Sequence, residues 1–187
     1  WLDDDDGDDE DQEKVEQLLK FRELDRRDAL LLFRTYREEK LTEDEKNELK
    51  SKAMALKKAG NDLFVSGADT EAFEKYCEAL DTCPLDFKED RAILFSNKAA
   101  ALIKLNKKEH AIEECSKAIE LNPDYVKALT RRGRLYEDTD RPHEAFADFA
   151  RVFRLDPGHK EAKIAFDRLP DKIKEKDERI ISQNMAL

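Results

Sequence analysis

Five polar residues, far apart in the chain, share a spacing that suits the capture of an anion: Lys57, Asn61, Asn97, Lys127 and Arg131. Lys57 and Asn61 are four positions apart, so on a helix their side chains are neighbours on one face. Lys127 and Arg131 repeat that spacing, and Asn97 stands 34 positions before Arg131. All five side chains donate hydrogen bonds, three are cationic, and the planar fork of Arg131 adds geometry that matches a carboxylate. Singly, each has a plainer reading: a lone Lys or Arg is a solvated charge, and Asn61 or Asn97 alone is a hydrogen bond between packed helices. Other chemistry finds no support. The chain shows no nucleophile–His signature, no Gly-rich phosphate loop and no metal motif, so no enzyme activity and no cofactor are expected. Cys77, Cys83 and Cys115 lack metal or redox spacing, and His110, His143 and His159 form no cluster.

The elements that must position these five residues are visible as a repeat. Gly60, Phe64, Gly67, Ala72, Tyr76, Ala79 and Pro84 are followed by Ala99, Asn106, Ala111, Cys115, Ala118 and Pro123. A third pass holds Gly133, Tyr136, Asp140, Ala145, Phe149, Val152 and Pro157. The last two passes are offset by 34 residues and the first two by 39, which places a five-residue insertion near Leu85 to Asp90. It extends either the loop or the following helix. A 34-residue period with this order of small, aromatic and Pro positions is the signature of the tetratricopeptide repeat. Each pass is expected to be two antiparallel helices. Small residues at the crossing let the axes approach, and Gly67, Asn106 and Asp140 tolerate the left-handed turn between the helices. Pro84, Pro123 and Pro157 end the second helix of each pair. Cys115 stands where an aromatic residue is usual, and Val152 where Ala is usual. The expected fold is all-α: a right-handed superhelical array of three helix pairs, an α-solenoid, with an N-terminal helical extension and a C-terminal capping helix.

On that repeat frame the five donors fall on the first helix of each pair, lining the groove. The set resembles the two-carboxylate clamp of tetratricopeptide-repeat co-chaperones, which hold the C-terminal Glu-Glu-Val-Asp of cytosolic heat-shock chaperones. The resemblance implies a Lys and an Asn from the first repeat (Lys57, Asn61), an Asn from the second (Asn97), and a Lys and an Arg from the third (Lys127, Arg131). Further stretches, Lys57-Lys58-Ala59-Gly60-Asn61, Cys83-Pro84, Ile93-Leu94-Phe95-Ser96-Asn97 and Leu169-Pro170, are similar to small cytosolic adaptors of this family. Those adaptors are linked to chaperones and to Ras-type and heterotrimeric G-protein signalling, a role that would need another surface. Competing expectations are a signalling scaffold of that kind and the repeat module of a larger enzyme such as a prolyl isomerase or a phosphatase.

Composition bounds the rest. The 187 residues are 43% charged with a net charge of −10, but residues 1–13 hold nine Asp or Glu, which leaves the remainder at −1. A nucleic-acid binder would show a basic stripe instead. No apolar run is long enough to span a membrane and no signal peptide opens the chain, so a cytoplasmic setting is expected. Oligomeric state is not legible. With Trp1 in place of an initiator Met, a piece of a longer protein is expected. Residues 1–13 form an acidic run expected to be disordered, and 14–41 a helical segment that either docks on the array or binds something else. Thr42 and Glu45 have capping-box spacing and open the repeat domain, 42–169, with repeats at about 53–86, 92–125 and 126–159. A capping helix over 158–169 is expected to break or kink at Pro170, leaving a separate charged helix over 170–187.

Overall fold

The computed structural model describes residues 26–185, and within them the chain forms eight helices and no strand. It divides between Leu49 and Lys50. The acidic run and the first part of the N-terminal helical segment lie outside the described residues. The remainder of that segment is α1, Arg26–Glu38, which exposes Leu30, Leu31, Leu32 and Tyr36. Helix α2, Glu43–Ser66, starts where the capping box requires. The Thr42 amide donates to the Glu45 carboxylate at 2.7 Å, and the Glu45 amide donates back to the Thr42 hydroxyl at 3.2 Å. The Thr42 amide, and the Thr42 hydroxyl that donates to the same carboxylate at 2.8 Å, hold the Glu45 carboxyl below its usual range.

From α2 onward the helices come in pairs: α3 is Asp69–Thr82, α4 Lys88–Lys104, α5 Lys108–Leu121, α6 Val126–Asp138 and α7 Pro142–Leu155. The turn inside each pair has one geometry. Gly67, Asn106 and Asp140 take φ values of 84°, 57° and 54°. The residue after each donates to a carbonyl five positions back: Ala68 to Leu63, Lys107 to Leu102 and Arg141 to Tyr136. The turn residues themselves donate three positions back, Gly67 to Phe64, Asn106 to Ile103 and Asp140 to Glu137, and the two closures satisfy carbonyls that the helix end would otherwise leave bare. Residues Cys83, Asn122 and Asp156, each just before a Pro, are extended and stop α3, α5 and α7.

Close approach within the pairs is set by Gly60 and Gly133. A Cβ on Gly60 would lie 2.7 Å from the Tyr76 ring, and one on Gly133 would lie 2.9 Å from Phe149. The second repeat places Ala99 and Cys115 at these positions, both fully buried in one core. The departure at Cys115 therefore has a packing reason. The methyl of Ala99 takes space that a ring would need, and a small thiol fits what is left. Burial pushes that thiol up to about 12.

The insertion lengthens a helix. Helix α4 has 17 residues against 13 in α6, and its added turn carries Arg91. Arg91 donates to the carbonyls of Leu80 and Cys83 at 2.8 and 2.6 Å, capping the C-terminal end of α3.

The break expected at Pro170 does not occur. Helix α8 runs unbroken from Lys160 to Met185 with Pro170 inside it, so residues 170 onward continue the capping helix and are not a separate one. Pro170 removes one backbone hydrogen bond, but side chains on both sides of it are tied to the turn between α6 and α7. Arg168 and Lys172 reach Glu137 at 2.6 and 3.6 Å, Lys176 reaches Asp140 at 3.3 Å, and Asp177 meets His143 at 3.0 Å. Ala162, Ala165 and Leu169 bury the inner face, and Phe166 stacks on Phe146 and Phe153. Helix α8 starts 34 residues after α6, so it stands as the first helix of a fourth repeat.

Candidate ligand-binding face

The five sequence-selected donors lie on the first helix of each pair: Lys57 and Asn61 on α2, Asn97 on α4, Lys127 and Arg131 on α6. Hydrogen bonds connect the three helices. The Asn97 amide donates to Asn61 Oδ1 at 3.1 Å, and the Tyr76 hydroxyl donates to the same oxygen at 2.8 Å. With Oδ1 used twice, the amide of Asn61 has one orientation and its NH2 remains available. Arg131 Nη1 donates to the Ser96 carbonyl at 2.7 Å and to the Ser96 hydroxyl, joining α6 to α4. The two asparagines thus make the helix-packing bond that the plainer reading gave them. That bond orients the pair, and it leaves donors over.

Electrostatics agrees with this proximity. Burial pushes the Tyr76 and Tyr125 phenols upward, and the charge of Arg131 opposes the shift in both. Arg131 is therefore close enough to be felt at the residue that anchors Asn61. Lys57 and Lys127 make no hydrogen bond or ion pair among the described residues, whereas Lys50, Lys98, Arg132 and Arg134 are all engaged by carboxylates. Two ammonium groups stand on this face without an internal counter-charge.

Sequence reasoning missed Ser96, Thr130 and the hydroxyl role of Tyr76. Ser96 and Thr130 are 34 apart, so the repeat register marks them as equivalent. Both are buried. Ser96 is engaged by Arg131, but the position equivalent to Arg131 on α8 is Ala165, which has nothing to donate. The Thr130 hydroxyl is left buried without a partner. It lines a cavity of about 200 Å³ together with Val126, Lys127, Arg131, Arg134 and His159.

Comparison with known proteins places this geometry. Two family models, both described as tetratricopeptide repeat, match residues 92–125 and 126–159 respectively. The first tetratricopeptide-repeat domain of Spaghetti (RPAP3), solved with an HSP90 peptide SRMEEVD, superposes at a TM-score of 0.61 and 31% identity over 67% of this chain and 95% of that one. The chain belongs to the tetratricopeptide repeat family. The second such domain of human RPAP3, in complex with an HSP70 peptide SGPTIEEVD, matches at a TM-score of 0.58 and 31% identity, covering 65% of this chain and 98% of that one. Among curated proteins, sperm-associated antigen 1A of Danio rerio is 35% identical over 65% of this chain and 29% of its own length. The mitochondrial import receptor subunit TOM70 of Rattus norvegicus is 38% identical over 56% of this chain and 17% of its own length. The chain thus spans less than a third of the curated relatives it matches. The repeat matches cover the second and third pairs. The first pair joins them through its Gly67 turn and its Gly60–Tyr76 contact.

Proposed function

We propose that this tetratricopeptide-repeat chain is an adaptor without catalytic activity that binds the C-terminal Glu-Glu-Val-Asp of heat-shock chaperones of the ninety- and seventy-kilodalton classes. The observation that carries the reading is the bonded set Asn61–Asn97 and Ser96–Arg131, flanked one helical turn away by the uncompensated Lys57 and Lys127. A C-terminal Asp offers an α-carboxylate and a side-chain carboxylate together. Five donors from three helices suit such a paired anion better than they suit an internal acidic residue. The similar RPAP3 domains were solved with peptides of this ending, which supports the same class of ligand here. No helix among the described residues is long and apolar enough to cross a membrane, and the proposed setting is the cytoplasm, where such tails are found. A G-protein partner would have to use a different surface.

Isothermal titration decides the matter with two peptides ending in Glu-Glu-Val-Asp, one with a free C-terminus and one amidated. Amidation removes one carboxylate and should abolish most of the affinity. Equal binding of the two would overturn the clamp.

A further inference from the structure

The cavity beside the clamp has features that two carboxylates on one Asp do not use. Thr130 is 7% exposed, and its hydroxyl has no hydrogen-bond partner. A buried hydroxyl left unpaired forfeits the hydrogen bonds it made to water, so a site that keeps one invites a ligand atom to complete it. Around it stand the cations Lys127, Arg131 and Arg134. His159 accepts the Ala162 amide on Nδ1 at 3.2 Å, so its other ring nitrogen carries the proton and is a donor. Arg134 is held by Glu161, whose position on α8 is equivalent to that of Lys127 on α6. The cations that line the cavity all come from α6, and α8 sets a carboxylate where α6 has Lys127. At about 200 Å³ the cavity has room for a carboxylate-bearing side chain with a water or two.

We infer that this cavity is a second oxyanion subsite, which takes an acidic side chain of the bound peptide upstream of its C-terminal residue, with Thr130 donating to the carboxylate. The inference rests on the clamp reading, because the clamp fixes where the upstream residues run. It makes Thr130 a specificity-determining residue: the subsite prefers an acidic side chain there to an apolar one of equal size.

The test is a double-mutant cycle by isothermal titration. Wild type, Thr130→Val and Thr130→Ser are titrated with the parent peptide and with peptides in which each upstream Glu is replaced singly by Gln. The amidated peptide is the control for the clamp. Thr130→Val keeps the shape and removes only the hydroxyl, so its melting temperature should equal or exceed that of wild type. Losing one hydrogen bond to a charged group should weaken the parent peptide about tenfold or more in Thr130→Val, while Thr130→Ser stays near wild type. One of the two Gln peptides should bind wild type and Thr130→Val alike. Unchanged binding of the parent peptide to Thr130→Val, with the amide still rejected, would remove the subsite and leave the clamp standing. Equal losses in the Val and Ser variants, or additive effects with both Gln peptides, would also overturn it. Equal binding of acid and amide by wild type would remove both readings together.

Discussion

Lys127 and Arg131 sit one turn apart on α6 and are both proposed to hold the ligand, yet the structure gives their removal different consequences. Lys127 is exposed and has no partner among the described residues. Lys127→Ala should therefore leave folding stability within about 0.5 kcal/mol of wild type, as for any surface position away from a network. Its whole effect should fall on binding, where a hydrogen bond between charged groups contributes about 1.5–3 kcal/mol, a loss of roughly ten- to hundredfold in affinity. Arg131 in addition donates to the carbonyl and hydroxyl of the buried Ser96. Arg131→Ala should lose a comparable factor in binding and also about 1.5–3 kcal/mol of stability, because the buried Ser96 carbonyl and hydroxyl then lose their charged donor. For a chain of this size that corresponds to a fall of about 3–12 °C in melting temperature. Both variants are measured by thermal melts followed by titration with a peptide ending in Glu-Glu-Val-Asp, in low and in physiological salt. Wild-type affinity and its residual salt dependence, retained in Lys127→Ala, would refute the assignment of this face. A Lys127→Ala variant that melted as low as Arg131→Ala would refute the separation of the two roles.

Gly133→Ala drives a methyl to 2.9 Å from the buried Phe149 ring and should cost about 1–3 kcal/mol, read from urea midpoints. No loss would mean that the pair is looser than described. Pro170→Ala restores a backbone donor inside α8 and should raise the melting temperature, since interior Pro is worth up to about 3 kcal/mol against a helix. A lower melting temperature would show that the helix depends on the Pro. Hydrogen bonding to Arg134 holds the Glu161 carboxyl below its usual value of 4.5. A depressed folded value means that this contribution to stability is present above about pH 4.5 and is lost as pH falls through the folded value. Glu161→Gln should then be less stable than wild type at neutral pH and converge with it in acid. Parallel pH profiles would remove the Arg134–Glu161 pair as a stabilising contact.

Much of the fold was legible because it depends on local backbone needs. Gly67, Asn106 and Asp140 are the residue types that tolerate positive φ, and all three adopt it. The Pro residues at 84, 123 and 157 follow extended residues for a steric reason that requires no tertiary partner. Thr42 and Glu45 likewise satisfy each other within one turn. Pro170 misled for the converse reason. Its local cost is real, but buried Leu169 and side-chain contacts from α8 to Glu137, Asp140 and His143 hold the helix on the preceding pair, and no local pattern reports such contacts.

The proposed binding face divides in the same way. Sequence alone determined which residues share it: a period of 34 residues and a helical repeat of 3.6 put Lys57, Asn61, Asn97, Lys127 and Arg131 on the first helices of successive pairs. Only the tertiary structure decided which donors are already spent. The bonds from Asn97 to Asn61 and from Arg131 to Ser96 cross from one helix to the next. The orphaned hydroxyl of Thr130 exists because the next helix supplies Ala165 where an arginine would have met it. Periodicity fixes the direction of a side chain along its own helix, but a hydrogen bond is completed or left open by whatever the neighbouring helix brings within about 3 Å.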